Sequence, residues 1–214
     1  DDKSVRVWDI EHKSEAFQFL SSKDPPTALA APKHLCFACG FASGIIKIFD
    51  LEKIEILYES KPFKSTVTAL AFIQRDKYLI AMSAQGNISI HDSSNKYMQC
   101  KILKIDPETH ITDLSLSVDK DYFASIGPEG KCALVWDSES FGIKNRISMK
   151  EQLSKVCLVH KNLIGVLFDS TCSVRFYALA TYGGIPIKEI KDIHINGITH
   201  FNISRNYKFF ISGG

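Results

Sequence analysis

The sequence has no uninterrupted apolar run of about 18 residues, so it holds no membrane-spanning helix. It has no excess charge of one sign: 26 basic residues face 24 acidic ones, a net charge of +2. That near-balance leaves no electrostatic footprint for nucleic acid or an anionic membrane surface. The chain is neither poor in apolar residues (45% hydrophobic) nor strongly charged, which excludes collagen-like, low-complexity and disordered classes. It has no HExxH, no His-x-His, no GxSxG and no G-x-x-x-x-G-K-[ST] string, so the common motifs of metalloproteases, serine hydrolases and P-loop enzymes are missing. The start, Asp1, is not followed by the charged, apolar and small-residue segments of a signal peptide. The expectation is an excerpt of a longer protein.

A second Cys-x-x-C pair is also missing. Cys36 and Cys39 have the spacing of a zinc or redox half-site, but nothing matches them elsewhere. On an extended strand, positions i and i+3 point to opposite faces and cannot chelate together. The remaining cysteines, Cys100, Cys132, Cys157 and Cys172, follow no disulfide framework. Most of the six sit in apolar strings such as HLCFACG and KVCLVH, where Cys packs as a small hydrophobe. Reduced thiols point to a cytoplasmic compartment. No cofactor and no metal site is expected.

What the sequence does contain is a repeat. The strings SVRVWD, IIKIFD, NISIHD, CALVWD and SVRFYA place Trp8-Asp9, Phe49-Asp50, His91-Asp92, Trp136-Asp137 and Tyr177-Ala178 in one alignment. The aromatic or His position advances by 41, 42, 45 and 41 residues. Val5, Ile46, Ile88, Ala133 and Val174 form one column; Val7, Ile48, Ile90, Val135 and Phe176 form another two residues on. Period-two alternation with β-branched residues describes a strand with one strongly apolar face. Each copy is preceded by an alternating string, a polar turn, a second apolar string and a short turn that contains Gly44, Gly86 or Gly130 in three copies. A shorter fourth strand follows, as in Glu55 to Glu59, Gln99 to Leu103 and Lys144 to Ser148. Four strands in about 42 residues with tight turns is an antiparallel meander, and no segment shows a capped 3.6-residue period. The chain is expected to be all-β.

This pattern resembles the WD-repeat family, whose unit is a four-stranded blade of about 40–45 residues packed radially into a β-propeller. The resemblance spans the whole chain, is strong at Trp8-Asp9 and Trp136-Asp137, and is degenerate elsewhere. It implies about five four-stranded blades, in a partial propeller covering residues 1–214. The expected units are 1–22 (the second half of a blade), 23–62, 63–105, 106–150, 151–192 and 193–214 (the first half of a blade). The family's Gly-His dipeptide is missing; its His survives as His194, with His110 a second candidate. The family's Asp six residues before the aromatic is present only as Asp2, with Ser43, Gln85, Gly130 and Thr171 elsewhere. The resemblance therefore implies that the buried His–Asp–Ser–Trp hydrogen-bond network is largely lost. One copy would survive if the chain ends joined, as His194, Ser212, Asp2 and Trp8. Two readings compete: a closed five-blade ring, or a chain cut inside a repeat at both sides, which is favoured because each half leaves open strand edges.

Candidate chemistry is thin. His91 stands in an aromatic position and is expected to be a packed imidazole. Asp137 and Glu139 are expected to be a solvated pair at a turn, and funnel-lining polar clusters are not expected. Lys144, Arg146 and Lys150, with Lys155 nearby, are a mildly basic stretch that is either a solvated outer strand or a contact for an acidic surface. The segment from Ala180 to Asn196 is either a recognition loop or a ragged fourth strand. Partner-binding residues are not assigned. Within the family, the strings FACGFASGIIKIFDLEKIEIL, GPEGKCALVWDSES and ISRNYKFFISGG are similar to a centriolar and ciliary branch. That similarity implies a non-catalytic scaffold at the cytoskeleton of cilia, centrioles or the axoneme, with tubulin or other ciliary proteins as partners. The alternatives are an adaptor that recruits substrates to a ubiquitin ligase or signalling complex and, more remotely, a propeller hydrolase.

Overall fold

The computed structural model describes residues 3–20, 23–32, 35–104, 113–117, 119–127, 130–160, 162–168, 173–179, 185–194, 198, 200–204, 206 and 208–213. Among these residues the chain is a succession of strands with one 3-10 turn, Ser93–Asn95. No helix among them is long and apolar enough to cross a membrane.

Strands β1 (Ser4–Asp9) and β2 (Ser14–Leu20) form a two-stranded antiparallel sheet. Four meanders follow: β3 (Pro26–Ala30), β4 (Cys36–Phe41), β5 (Ile46–Asp50) and β6 (Glu55–Ser60); then β7 (Val67–Ile73), β8 (Tyr78–Ser83), β9 (Asn87–Asp92) and β10 (Met98–Lys104). The third holds β11 (Leu114–Leu116), β12 (Tyr122–Ile126), β13 (Cys132–Asp137) and β14 (Ile143–Ser148). The fourth holds β15 (Leu153–His160), β16 (Leu163–Phe168), β17 (Val174–Ala178) and β18 (Lys188–Ile190). β19 (His200–Ile203) and β20 (Phe210–Gly213) pair as a second two-stranded sheet, separate from β1–β2. The segment 180–196 thus contributes β18 to its sheet.

The repeat positions share one register. Phe37 lies opposite Phe49, Leu79 opposite His91, Phe123 opposite Trp136 and Ile164 opposite Tyr177. A register shift sits just before the aromatic where β1, β5 and β13 pair with the following strand, and Cys100 produces the same irregularity beside His91. A bulge there re-aims the chain as it leaves the strand. The tight turn between the second and third strands uses Gly44 at φ 87° in a left-handed conformation; a Cβ would run into the Phe63 carbonyl.

The core lies between sheets. Cys36, Ala38, Ile46 and Ile48 pack on Val67, Leu70, Phe72 and Leu79 of the next sheet. Ile73, Ile80, Met82 and Ile90 pack on Phe123, Leu134 and Trp136. Ala124, Ile126 and Val135 pack on Val156, Leu158 and Ile164. Cys39 faces the other way, toward Val5, Phe37 and Phe49, so Cys36 and Cys39 serve two different seams. The expectation of one apolar face per strand is corrected here: Ser89 and Leu134, on the intervening face, are fully buried, because a sheet follows on both sides. Burying one large aliphatic or aromatic side chain this way contributes about 1.5–3 kcal/mol.

Candidate functional site

The first strands of the sheets, β3, β7, β11, β15 and β19, line a funnel of about 460 Å³. Side chains tie these strands across the sheet boundaries. Thr27 Oγ1 donates to the Val67 carbonyl at 2.6 Å. Ser115 Oγ accepts from the Leu158 amide at 2.9 Å. Asp113 Oδ2 accepts from the Val156 amide at 2.9 Å, and Lys155 Nζ donates to Asp113 Oδ1 at 3.3 Å. Burial raises the Asp113 pKa above the usual carboxylate value, against the opposing pull of the Val156 amide and Lys155. This corrects the expectation that the funnel lacks a polar cluster, and it moves Lys155 out of the basic stretch. Lys144, Arg146 and Lys150 are exposed, the first two on β14. Cys157 also lines the funnel, but burial pushes its thiol up to about 11, so it carries no thiolate at neutral pH. Leu29, 60% exposed, offers an apolar surface at the same place.

On the face where first strands turn into second strands, a ridge joins the second and third meanders. Gln74, Arg75 and Asp76 follow one another at φ 48°, 53° and 69°, an uncommon left-handed run for side-chain-bearing residues. Two bonds over-determine it. Gln74 Nε2 donates to the Ser138 carbonyl at 2.6 Å, and Lys120 Nζ lies 2.6 Å from Asp76 Oδ1.

The repeat positions take up structural roles. Phe49, His91, Trp136 and Tyr177 are buried; Trp8 is 59% exposed. His91 Nδ1 donates to the Tyr97 carbonyl at 3.1 Å, because a carbonyl can only accept, and Nε2 then accepts from Ser89 Oγ at 2.7 Å. A neutral imidazole follows, and burial lowers its pKa to about 4. The four Asp residues each accept amides of the turn they open. Asp9 Oδ1 takes His12 N, Asp50 Oδ1 takes Glu52 N and Lys53 N, Asp92 Oδ1 takes Ser94 N, and Asp137 Oδ1 takes Glu139 N and Ser140 N. Those bonds hold all four carboxyls below the usual value, led in Asp92 by the Ser94 hydroxyl. Asp137 is therefore a turn holder and not half of an acid–base pair with Glu139.

Parts of the hydrogen-bond network that the resemblance implies are spread over different sheets. Trp136 Nε1 donates to Ser125 Oγ at 3.0 Å, and His194 Nε2 lies 2.9 Å from Ser212 Oγ. Asp2, His34, His110, Thr171 and Cys172 lie outside the described residues. At Ser43 the carboxylate has moved across the contact. Asp24, in the loop before β3, accepts from the Ser43 amide at 2.9 Å and from its hydroxyl. Sequence reasoning missed Asp24 because its partner is 19 residues away. It missed Asp113 although a lone acid in the apolar string ITDLSL was a usable signal.

Among the described residues, no group of three or more His, Cys, Asp or Glu is placed to hold a metal ion. No protein-family model matches the chain. It is 26% identical over 225 residues to WD repeat-containing protein 90 of Homo sapiens, a match that covers 98% of this chain. The protein of that name from Mus musculus is 25% identical over 209 residues, 90% of this chain, and that from Xenopus tropicalis 26% over 147 residues, 65% of it. The chain spans 13%, 11% and 8% of the lengths of those relatives. A propeller chain in the crystal structure of the mitotic checkpoint complex superposes with a TM-score of 0.81 at 12% identity, covering 99% of this chain and 65% of that one. The stacked meanders, the shared register of the aromatic positions and the structural likeness together make the fold that of a partial β-propeller, and in sequence the chain is similar to proteins named for their WD repeats.

Proposed function

We propose that the chain is a non-catalytic protein-interaction scaffold, in which the units 23–62, 63–105, 106–150 and 151–192 each act as one blade. The supporting observation is the set of ties between first strands, at Thr27–Val67, Asp113–Val156 and Ser115–Leu158, which fixes the funnel wall while Leu29 stays open on it. A wall held by partly buried hydrogen bonds presents partner-facing side chains with little loss of entropy on binding. The titratable groups fit that role. Asp113 is committed to the next strand, burial keeps the Cys157 thiol protonated, and the His91 imidazole is enclosed away from any ligand.

In the finer reading, the partners are ciliary or centriolar proteins, tubulin among them, and the chain works at the cytoskeleton. The resemblance of its strings to a ciliary branch of the family supports this, as does the match to proteins named WD repeat-containing protein 90. The test is localisation of the full-length protein in ciliated cells, with co-sedimentation on microtubules. A centriolar or axonemal position is expected; exclusive recovery with ubiquitin-ligase subunits and no cytoskeletal signal sinks this reading in favour of the adaptor.

A further inference from the structure

The outermost strands of neighbouring meanders differ in charge. β6 carries Glu55 and Glu59, whereas β10 and β14 hold only cations among their charged residues. Two of these cations face one another across a seam. Lys101 lies opposite Ile90, and Arg146 lies opposite Leu134. Ile90 and Leu134 both pack in the seam between the second and third meanders, and residues paired across strands share a face. Lys101 and Arg146, both exposed, therefore stand at the outer mouth of that seam, one on each side. Lys77 joins them through a pair of rings. Its Nζ lies 4.8 Å from the centre of the Tyr78 ring, Tyr78 meets Phe141 edge-on at 5.3 Å, and Lys101 Nζ lies 5.5 Å from the Phe141 centre.

Ion pairing supplies an independent observation. Strand cations elsewhere are neutralised by the chain itself: Arg6 by Glu15, Lys47 by Glu59, Lys155 by Asp113, and Arg175 by Glu151 and Glu189. Among the described residues, no carboxylate forms an ion pair with Lys77, Lys101 or Arg146. Asp92, whose field acts on Lys77, is bound by the Ser94 amide and hydroxyl of its own turn. Lys144, the other cation of β14, is engaged with the ring and hydroxyl of Tyr122 and takes no part. Like charges gathered at one mouth repel, and an anion relieves them. Among the described residues β10 and β14 are also the last strands of their sheets, so each presents an open row of backbone donors and acceptors. Cations along such an edge keep uncharged and basic strands away and admit an acidic one.

We propose that an acidic, extended segment of a partner protein pairs with the open edge of β14, its carboxylates meeting Arg146, Lys101 and Lys77. Backbone bonds to β14 supply the affinity, and the three cations select the charge. The proposal rests on the scaffold reading and gives the partner its chemistry. The contact lies on the outer rim, away from the funnel.

The test is fluorescence anisotropy of the full-length protein with the rhodamine-labelled peptide Thr-Glu-Thr-Glu-Thr-Glu-Thr-amide. Its counterpart with Gln for every Glu keeps the strand propensity and loses the charge. The acidic peptide is expected to bind about tenfold tighter than the glutamine peptide, the scale of a few exposed ion pairs. The double variant Lys101→Gln, Arg146→Gln is expected to bring the two peptides within about twofold of each other. The charge-keeping pair Lys101→Arg, Arg146→Lys should retain the preference, and so should Lys188→Gln, a surface change on β18. Hydrogen exchange should show new protection at residues 143–148 when the acidic peptide binds. Equal binding of the two peptides to the unaltered protein overturns the proposal, as does a preference that survives the glutamine variant or protection confined to the funnel strands. Tighter binding of duplex DNA, lost in the same variant, also overturns it, because the mouth is then a general polyanion contact. Each of these failures leaves the scaffold reading standing, since that is tested by localisation and co-sedimentation.

Discussion

Trp8 and Trp136 occupy the same place in the repeat, each followed by Asp, yet one is 59% exposed and the other 4%. Trp136 lies in the middle of a four-stranded sheet, stacks on Phe123 with ring centres 5.7 Å apart, bonds Ser125, and is covered by Ile73, Ile80 and Met82 of the preceding sheet. Trp8 sits on β1, which among the described residues is hydrogen-bonded only to β2. The motif specifies a strand position; burial at that position is conferred by the sheets on either side. The same contrast explains His91. It replaces the aromatic but keeps a fully buried place, because Tyr97, Ser89 and the edge of Tyr58 surround it.

The largest effect should separate the two tryptophans. Trp136→Ala removes a buried ring and orphans the Ser125 hydroxyl, and should cost about 3–5 kcal/mol in urea unfolding. Trp8→Ala should stay within about 1 kcal/mol. Equal losses would break the comparison. Next comes acid sensitivity at His91. Its folded pKa of about 4 lies below the unfolded value near 6.5, so the unfolded chain binds the extra proton and stability falls as pH drops from 6.5 to 4. The full shift amounts to about 3 kcal/mol over that window, and melting curves of His91→Phe should show a flatter pH dependence.

Asp113 sharpens the contrast between funnel wall and rim. Asp113→Ala strands the buried Val156 amide and should cost about 2 kcal/mol, whereas Asp113→Asn keeps an acceptor for that amide and should cost about 1 kcal/mol. The smallest expected effect is at the turns. Asp137→Ala should cost about 1 kcal/mol through the lost Glu139 and Ser140 amide contacts. Because the Asp137 carboxyl is held below its unfolded pKa, its contribution is present above about pH 4 and fades as pH falls through the lower folded value. The Asp137→Ala deficit should therefore shrink in acid, which thermal melts at pH 7 and pH 3 would check.

Strand order was legible because each strand is written in period two and the turns are marked by Gly44, Gly86 and Gly130. The turn-holding Asp residues were visible as a column, though not their task. Two-sided burial was not legible, because Ser89 and Leu134 look like opposite kinds of residue and are buried for the same reason, a neighbouring sheet. The ties at Asp24, Asp113 and Gln74 were illegible in another way: each joins residues 19 to 64 positions apart, and no local pattern encodes that reach.

The apolar core lies in the seams, so no meander has a hydrophobic interior of its own. Each sheet is stable only as one slice in a row, and much of its free energy is shared with the slices before and after it. Cooperativity in such a row travels one neighbour at a time. A ligand that tightens the Gln74–Ser138 seam would protect the amides of β7–β10 and β11–β14 from exchange before those of more distant slices.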